Sequence, residues 1–203
     1  MTDYVTASGL ATWLNISGSS DDARLALAVT AASRAVEKHC SQVFTLGSGT
    51  AARTYTASSP YSVAVDPIAT TSGLVVKTDT GNVGTYDTTW TVTTDYILEP
   101  TGGIVDGVEG WPYTEIEAVG GLMFPTYGNR PRVQVTATWG WPAVPDDVTF
   151  AVRLKAARLF RRATSPDGLA GGLDVGIIRI SRFEDPDVVD LLTPYVSVGR
   201  MVV

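Results

Sequence analysis

"TATWGWPAVPDDVTFAVRLKAARLFRRATSP", residues 136–166, decides the fold. It begins as an alternating strand, turns a corner at Trp139–Pro142 and continues from Asp146 without Pro or Gly as far as Thr164. Gly140 relieves backbone strain, Pro142 and Pro145 keep both strand and helix from running on, and Asp146 or Asp147 supplies a helix start. At 100° per residue Val148, Val152, Ala156, Leu159 and Ala163 form one stripe, and Lys155, Arg158, Arg161 and Arg162 gather on the far side. Phe150, Leu154 and Ala157 make a second, smaller apolar patch. A helix with two separated apolar faces needs two partners.

The first partner lies at the other end of the chain. Thr6–Leu14 has an N-cap threonine and Leu10, Trp13 and Leu14 spaced to share a face. From Asp21 to Phe44 there is a Ser/Asp start signal, an Ala-rich body and no Pro or Gly, the pattern of a long helix. Leu25, Ala28, Val29, Ala32, Val36 and His39 fall on its stripe, and Arg24, Arg34, Glu37 and Lys38 lie outside it. Leu27 and Ala31 sit on the other side and suit a contact with a neighbouring subunit.

Between these helices, Thr45–Trp141 is rich in Gly, Thr, Val and Tyr, and the apolar period shortens to two. Strands are expected at Arg53–Ala57, Ser62–Asp66, Leu74–Thr78, Thr88–Thr93, Tyr96–Glu99, Ile116–Val119 and Arg132–Trp139, divided by turns such as "DTGN", "EPTGG" and "TYGNRP". Beyond the decisive helix, "SPDGLAGGLD" is a Gly-rich joint, "VGIIRISRF" reads as a strand, "EDPDVVDLLTPY" as a short helix with Pro186 in its first turn, and "VSVGRMVV" as an extended apolar end. An apolar tail is costly to leave in water and suits the sheet edge of a partner.

The expected class is α+β: N- and C-terminal helices packed as a small bundle, a large inserted antiparallel β domain forming a small sandwich or barrel, and an extended C-terminal arm. In chain order that gives helices over residues 1–44, the β insertion over 45–141, the completing helix over 142–165 and the arm over 166–203.

With 203 residues and 44% hydrophobic side chains, the chain can fill one sizeable core or two small ones. No apolar run approaches the ~20 residues that span a bilayer, and the N-terminus lacks signal-peptide features, so no membrane is expected and an intracellular product is. Cys40 has no second cysteine for a disulfide or a Cys-based zinc site. Fifteen Lys and Arg against 21 Asp and Glu, a net charge of −6, argue against gripping nucleic acid by phosphate neutralisation. His39 and Cys40 are neighbours on a helix and point about 100° apart, which serves a catalytic dyad badly. Asp79 with Asn82, and Asp106 with Glu109, lack the spacing of a calcium loop and read as hairpin turns. Trp139 and Trp141 suit a core at the strand–helix junction better than a binding platform. With no nucleophile elbow and no phosphate loop, neither an enzyme, a metal nor a cofactor is expected.

Three stretches resemble the head-to-tail connector (adaptor) proteins of tailed bacteriophages. "VTASGLATWLNISGSSDDARLALAVTAASRAVEKHCSQVF" is similar to the family's short helix, polar loop and long Ala-rich helix. "VTATWGWPAVPDDVTFAVRLKAARLFRR" resembles its strand, aromatic corner, Val-Pro-Asp-Asp helix start and closing Arg pair, and "DYILEPTGGIV" resembles the lead into its last strands. The resemblance implies a structural virion protein made in the host cytoplasm: a homo-oligomeric ring, usually of twelve copies, in the neck below the portal. Its partners would be the portal protein and a stopper or tail-completion protein, with double-stranded DNA passing through its centre without sequence-specific binding. Under that reading Leu27, Ala31, Phe150, Leu154 and Ala157 are the expected subunit contacts. The segment holding Leu191, Leu192, Tyr195, Val196, Val198, Met201, Val202 and Val203 is the expected portal-binding arm. The alternative from the residues alone is a β-rich binding module for carbohydrate or protein, within a phage tail or similar assembly.

Overall fold

A computed structural model describes residues 2–164, 169–170, 178–179 and 185–196. The chain divides into two compact units, Phe44–Ala143 and a unit made of Met1–Val43 with Val144–Val203.

The second of these is helical. Helix α1 (Ala7–Leu14) starts at Thr6, whose side chain accepts the Gly9 N–H, and ends at Asn15 in the left-handed conformation. Helix α2 (Asp22–Cys40) carries Leu25, Ala28, Val29, Ala32, Ser33, Val36 and Cys40 inward. It packs on α3 (Asp146–Thr164), which buries Val148, Ala151, Val152, Ala156, Ala157 and Phe160. Alanines at facing positions let the two helices approach closely, so segments more than a hundred positions apart share one core. The α3 core face is wider than its period suggested, because α1 and α4 (Pro186–Leu192) also pack on it. Leu159 is only half-buried, whereas Phe160 is buried beneath the Arg24 guanidinium, 5.2 Å from its ring. Ala157, expected on the outer patch, belongs to the core face for the same reason. The N-terminal strap Thr2–Val5 lies along α2: Asp3 accepts from Thr30, the Tyr4 N–H donates to Ser33 Oγ, and the Tyr4 hydroxyl donates to Glu37 at 2.7 Å.

Helix α4 is capped by Asp185, has Pro186 in its first turn and buries Val188 and Leu192. Tyr195 comes next, in a short 3₁₀ turn, and is buried too. Of the strand expected in "VGIIRISRF", the described part is Ile178–Arg179, paired antiparallel with Leu169–Ala170. The rest of that segment and of the Gly-rich joint lies outside the described residues.

The β unit holds β1 (Leu46–Tyr55), β2 (Ser62–Thr78), β3 (Thr88–Trp90), β4 (Tyr96–Glu99), β5 (Ile104–Val105), β6 (Val108–Glu109), β7 (Tyr113–Ala118) and β8 (Val133–Gly140). Six of them form one antiparallel sheet in the order β1-β8-β2-β7-β4, with β3 also on β2. The segments expected at Ser62–Asp66 and Leu74–Thr78 are one 17-residue strand. Register breaks at Ala64/Ile68 and Thr70/Val75 hid its continuity. Its first half pairs β7, its second half pairs β3, and β8 runs along the other side. Five of the six strands point buried side chains into one core, Val63, Val65, Ile68, Val76, Trp90, Tyr96, Leu98, Ile116, Val133, Val135, Ala137 and Trp139, with Phe124 stacked on Trp90 at 4.4 Å; β1 adds the half-buried Tyr55. The insertion is thus an antiparallel sheet with one buried face, and β1 and β4 stand at its two ends.

The corner after β8 has a local cause. Gly140 sits at φ +111°, and a Cβ there would lie 2.1 Å from the Thr45 carbonyl oxygen. The Trp141 N–H donates to that same carbonyl, and its indole is buried between Phe44 and Trp111, both centred 5.1 Å away. Trp139 is buried as well and donates from Nε1 to the Ala51 carbonyl. Both tryptophans are core, not platform.

Candidate assembly surface

The helical unit keeps two unlike apolar areas on its surface. On α2 the N-terminal strap covers the side from Thr30 to Glu37, leaving Ala23, Ala26, Leu27 and Ala31 exposed, with Leu27 70% exposed. This patch is aliphatic. The second area is aromatic and cationic: Phe150 on α3 meets Trp13 on α1 edge-on at 5.7 Å, and the Arg153 guanidinium lies 5.3 Å from the Trp13 ring centre. Trp13 is 44% exposed and Phe150 39%, while Leu154 beside them is half-buried. Trp13 and Arg153 were not legible as surface residues. The Leu10/Trp13/Leu14 spacing places Trp13 on the core side, but this short helix buries only Leu10 fully.

Of the expected subunit contacts, then, Leu27, Ala31 and Phe150 are exposed, Leu154 is half-buried and Ala157 is buried. Of the expected arm, Leu191 is half-buried, and Leu192 and Tyr195 are buried in the helical unit itself. The Tyr195 hydroxyl donates to Asp147 at 3.2 Å, and the Gln42 side-chain amide donates to the Tyr195 carbonyl. Burial, then the Asp147 and Asp146 charges, push the Tyr195 phenol up to about 12. These residues fasten α4 to its own unit, so Val196, which is exposed, is the first of the arm free of that packing. Val198, Met201, Val202 and Val203 lie outside the described residues.

The β unit exposes apolar side chains of its own, Leu122, Met123 and Tyr127 among them, and is the more acidic of the two. Phe44–Ala143 carries nine Asp and Glu against four Lys and Arg. Glu99 on β4 stands directly across from Glu115 on β7, with Glu117 two residues on, all half-exposed and opposite in phase to the inward Leu98 and Ile116. Like charges so placed repel and attract no further anion. Asp79 is different: it is buried, and its carboxylate accepts the N–H groups of Gly84 at 2.6 Å and Val83 at 3.2 Å. Burial alone would raise its pKa, but those donors and the nearby Arg132 charge outweigh burial and hold it below the usual carboxylate value. Arg132, also buried, donates to the carbonyls of Asp79, Thr80 and Tyr127. Asp79 thus ties a loop, as expected of a turn. The Asp106–Gly107 turn joins β5 to β6 with both residues at positive φ, a tight hairpin.

Among the described residues no group of three or more His, Cys, Asp or Glu is placed to hold a metal, and no helix is long and apolar enough to cross a membrane. Burial pushes the Cys40 thiol up to about 11, which suits packing and not nucleophilic attack.

No protein-family model matches the chain, and no curated protein matches it. Among solved structures, a chain from the neck of an empty GTA particle, computed with C6 symmetry, is 22% identical with a TM-score of 0.50; the alignment covers 98% of this chain and 92% of that one. A chain from the neck of the native GTA particle, computed with C12 symmetry, is 21% identical with a TM-score of 0.46, covering 89% and 86%. At 22% identity the first of these is a likeness of fold alone.

Proposed function

We propose that this chain is a structural neck protein of a phage-like particle, assembling as a ring that joins a capsid portal to a stopper or tail and lets DNA pass. The observation that carries the proposal is the pair of dissimilar exposed patches on one helical unit, aliphatic on α2 and aromatic-cationic on α1 and α3. A cyclic ring is built from heterologous contacts, in which one surface of each copy meets a different surface of the next. Two unlike patches answer that need; a two-fold dimer needs only one. The like-folded chain comes from a neck assembly computed with cyclic symmetry. An acidic β unit suits a conduit, since phosphates near carboxylates slide without sticking. The carbohydrate-binding alternative loses its best platform with Trp139 and Trp141 buried.

The test uses two variants, Leu27→Glu and Phe150→Glu, each spoiling one patch. Each alone should fail to form rings by native mass measurement and electron microscopy, with or without purified portal. Mixed in equal amounts they should form closed-off dimers, because one intact patch remains on each. Rings from either single variant would sink the proposal.

A further inference from the structure

Arg153 brings to the aromatic patch a charge that its own copy leaves unanswered. It is half-buried on α3 with its guanidinium beside the Trp13 ring, and among the described residues it makes no ion pair and no hydrogen bond. Its Nε is sealed from solvent with no acceptor in reach among those residues. Arg24 and Arg34 on α2, by contrast, are held by Asp21 and Glu37. A guanidinium carries five N–H donors in a planar fork that matches a carboxylate. Held against Trp13, this fork is already oriented, so little side-chain freedom is lost when a carboxylate arrives.

A carboxylate in the same condition borders the other patch. Of the acids on and next to α2, Asp21 pairs with Arg24, and Glu37 with Arg34 and Tyr4. Asp22 is exposed, and its carboxylate has no partner among the described residues. It lies one helical turn before Ala26 on the same side of α2, at the margin of the surface that holds Ala23, Ala26, Leu27 and Ala31. Within one copy Asp22 and Arg153 do not pair. Asp22 belongs to the end of α2 whose Arg24 reaches Phe160, and Phe160 stands about 10 Å along α3 from Arg153.

We propose that Arg153 of one copy pairs with Asp22 of the next, and that this pair sets the polarity with which the two patches meet. The inference rests on the ring reading and adds to it a source of specificity. Apolar contact is non-directional, so an aliphatic and an aromatic surface alone fit in several orientations. One cation and one anion, each at its own patch, favour a single head-to-tail arrangement. The same pair works against two-fold dimers, in which Arg153 would face Arg153 or Asp22 would face Asp22. The exposed rings of Trp13 and Phe150 shield the pair from water and strengthen it beyond a bare surface ion pair.

The test is a charge exchange, read by sedimentation and electron microscopy at low salt, with or without purified portal. Arg153→Glu and Asp22→Arg should each weaken association at least about tenfold, since each sets like charges face to face. The variant carrying both changes in one chain should recover to within about threefold of the original, because the pair re-forms with its signs reversed. Asp22 is exposed, so Asp22→Arg should keep the fold, checked by circular dichroism. If Arg153→Glu unfolds, Arg153→Gln and Asp22→Asn take its place: each should weaken association about threefold, and the two together no further than either alone. Association of either single variant at the original strength overturns this proposal and leaves the ring reading standing. A double variant no better than its parents assigns Arg153 another partner and overturns the pairing with Asp22. Rings from Leu27→Glu or Phe150→Glu, or no association of the original chain at any concentration, overturn both.

Discussion

The two units keep their surplus binding capacity in different places. In the helical unit the backbone is satisfied within the helices, so whatever remains for a partner is side chain: Leu27 and its alanines on one helix, Trp13 and Phe150 on two others. In the β unit a core rich in aromatics leaves apolar side chains such as Leu122, Met123 and Tyr127 at the surface, and among the described residues the outer main chain of β1 pairs with no further strand. Side-chain patches select a partner by shape and charge, whereas an open strand accepts any extended segment that lies flat.

The units should also be separable in stability, and the sharpest break comes from Trp90→Ala. It removes the stack on Phe124 and the hydrogen bond to Thr78, and should cost the β unit about 3–5 kcal/mol. Tryptophan fluorescence and near-ultraviolet circular dichroism should then melt well before the 222 nm helical signal; a single coincident transition would show that the units fold as one. Ala32→Leu does the converse, forcing a larger side chain between α2 and α3 at a cost of about 1–3 kcal/mol, read as faster hydrogen exchange in both helices with the β amides unchanged. Thr6→Ala removes the α1 cap and should cost about 1 kcal/mol, seen as fraying of α1 alone. Leu27→Glu, at an exposed position, should shift stability by no more than about 0.5 kcal/mol while abolishing rings, and a large loss of stability would move Leu27 into the core.

Acid sharpens the same contrast without a mutation. The Asp79 pKa is lowered on folding, so its contribution is present above the unfolded value and is lost as pH falls through that value toward the folded one. The β unit should therefore lose stability in acid, and Asp79→Asn should flatten that part of the curve. At the alkaline end the sign reverses. Tyr195, raised to about 12, gives the helical unit stability that is complete below the ordinary phenol value near 10 and lost as pH climbs from there to about 12.

Legibility in the sequence divides between the units in the same way. The long helices were legible because each buries one face: the 3.6-residue rhythm of Leu25, Ala28, Val29, Ala32 and Val36, and of Val148, Val152 and Ala156, is a direct record of burial. Strand β8 was legible for the parallel reason at period two, with Val133, Val135, Ala137 and Trp139 buried. Strand β1 was missed from Leu46 to Ala52 because nothing there is buried, and "LGSGTAA" leaves no alternation to read. Of the candidate surface, Leu27, Ala31 and Phe150 stood out as apolar residues off the main stripes. Trp13 did not, since a helix of two turns is too short for its period to separate core from surface. The burial of Tyr195 was hidden because its partners, Asp147 and Gln42, are distant in the chain and carry no sequence signature.

The closure at Thr45, Gly140 and Trp141 has a corollary. Where an excursion of some hundred residues leaves and rejoins at touching points, its length is decoupled from the segments on either side, since a longer or shorter excursion can still start and finish at the same place. Any such change has to keep Gly140, because a side chain there would collide with the Thr45 carbonyl and force the seam open.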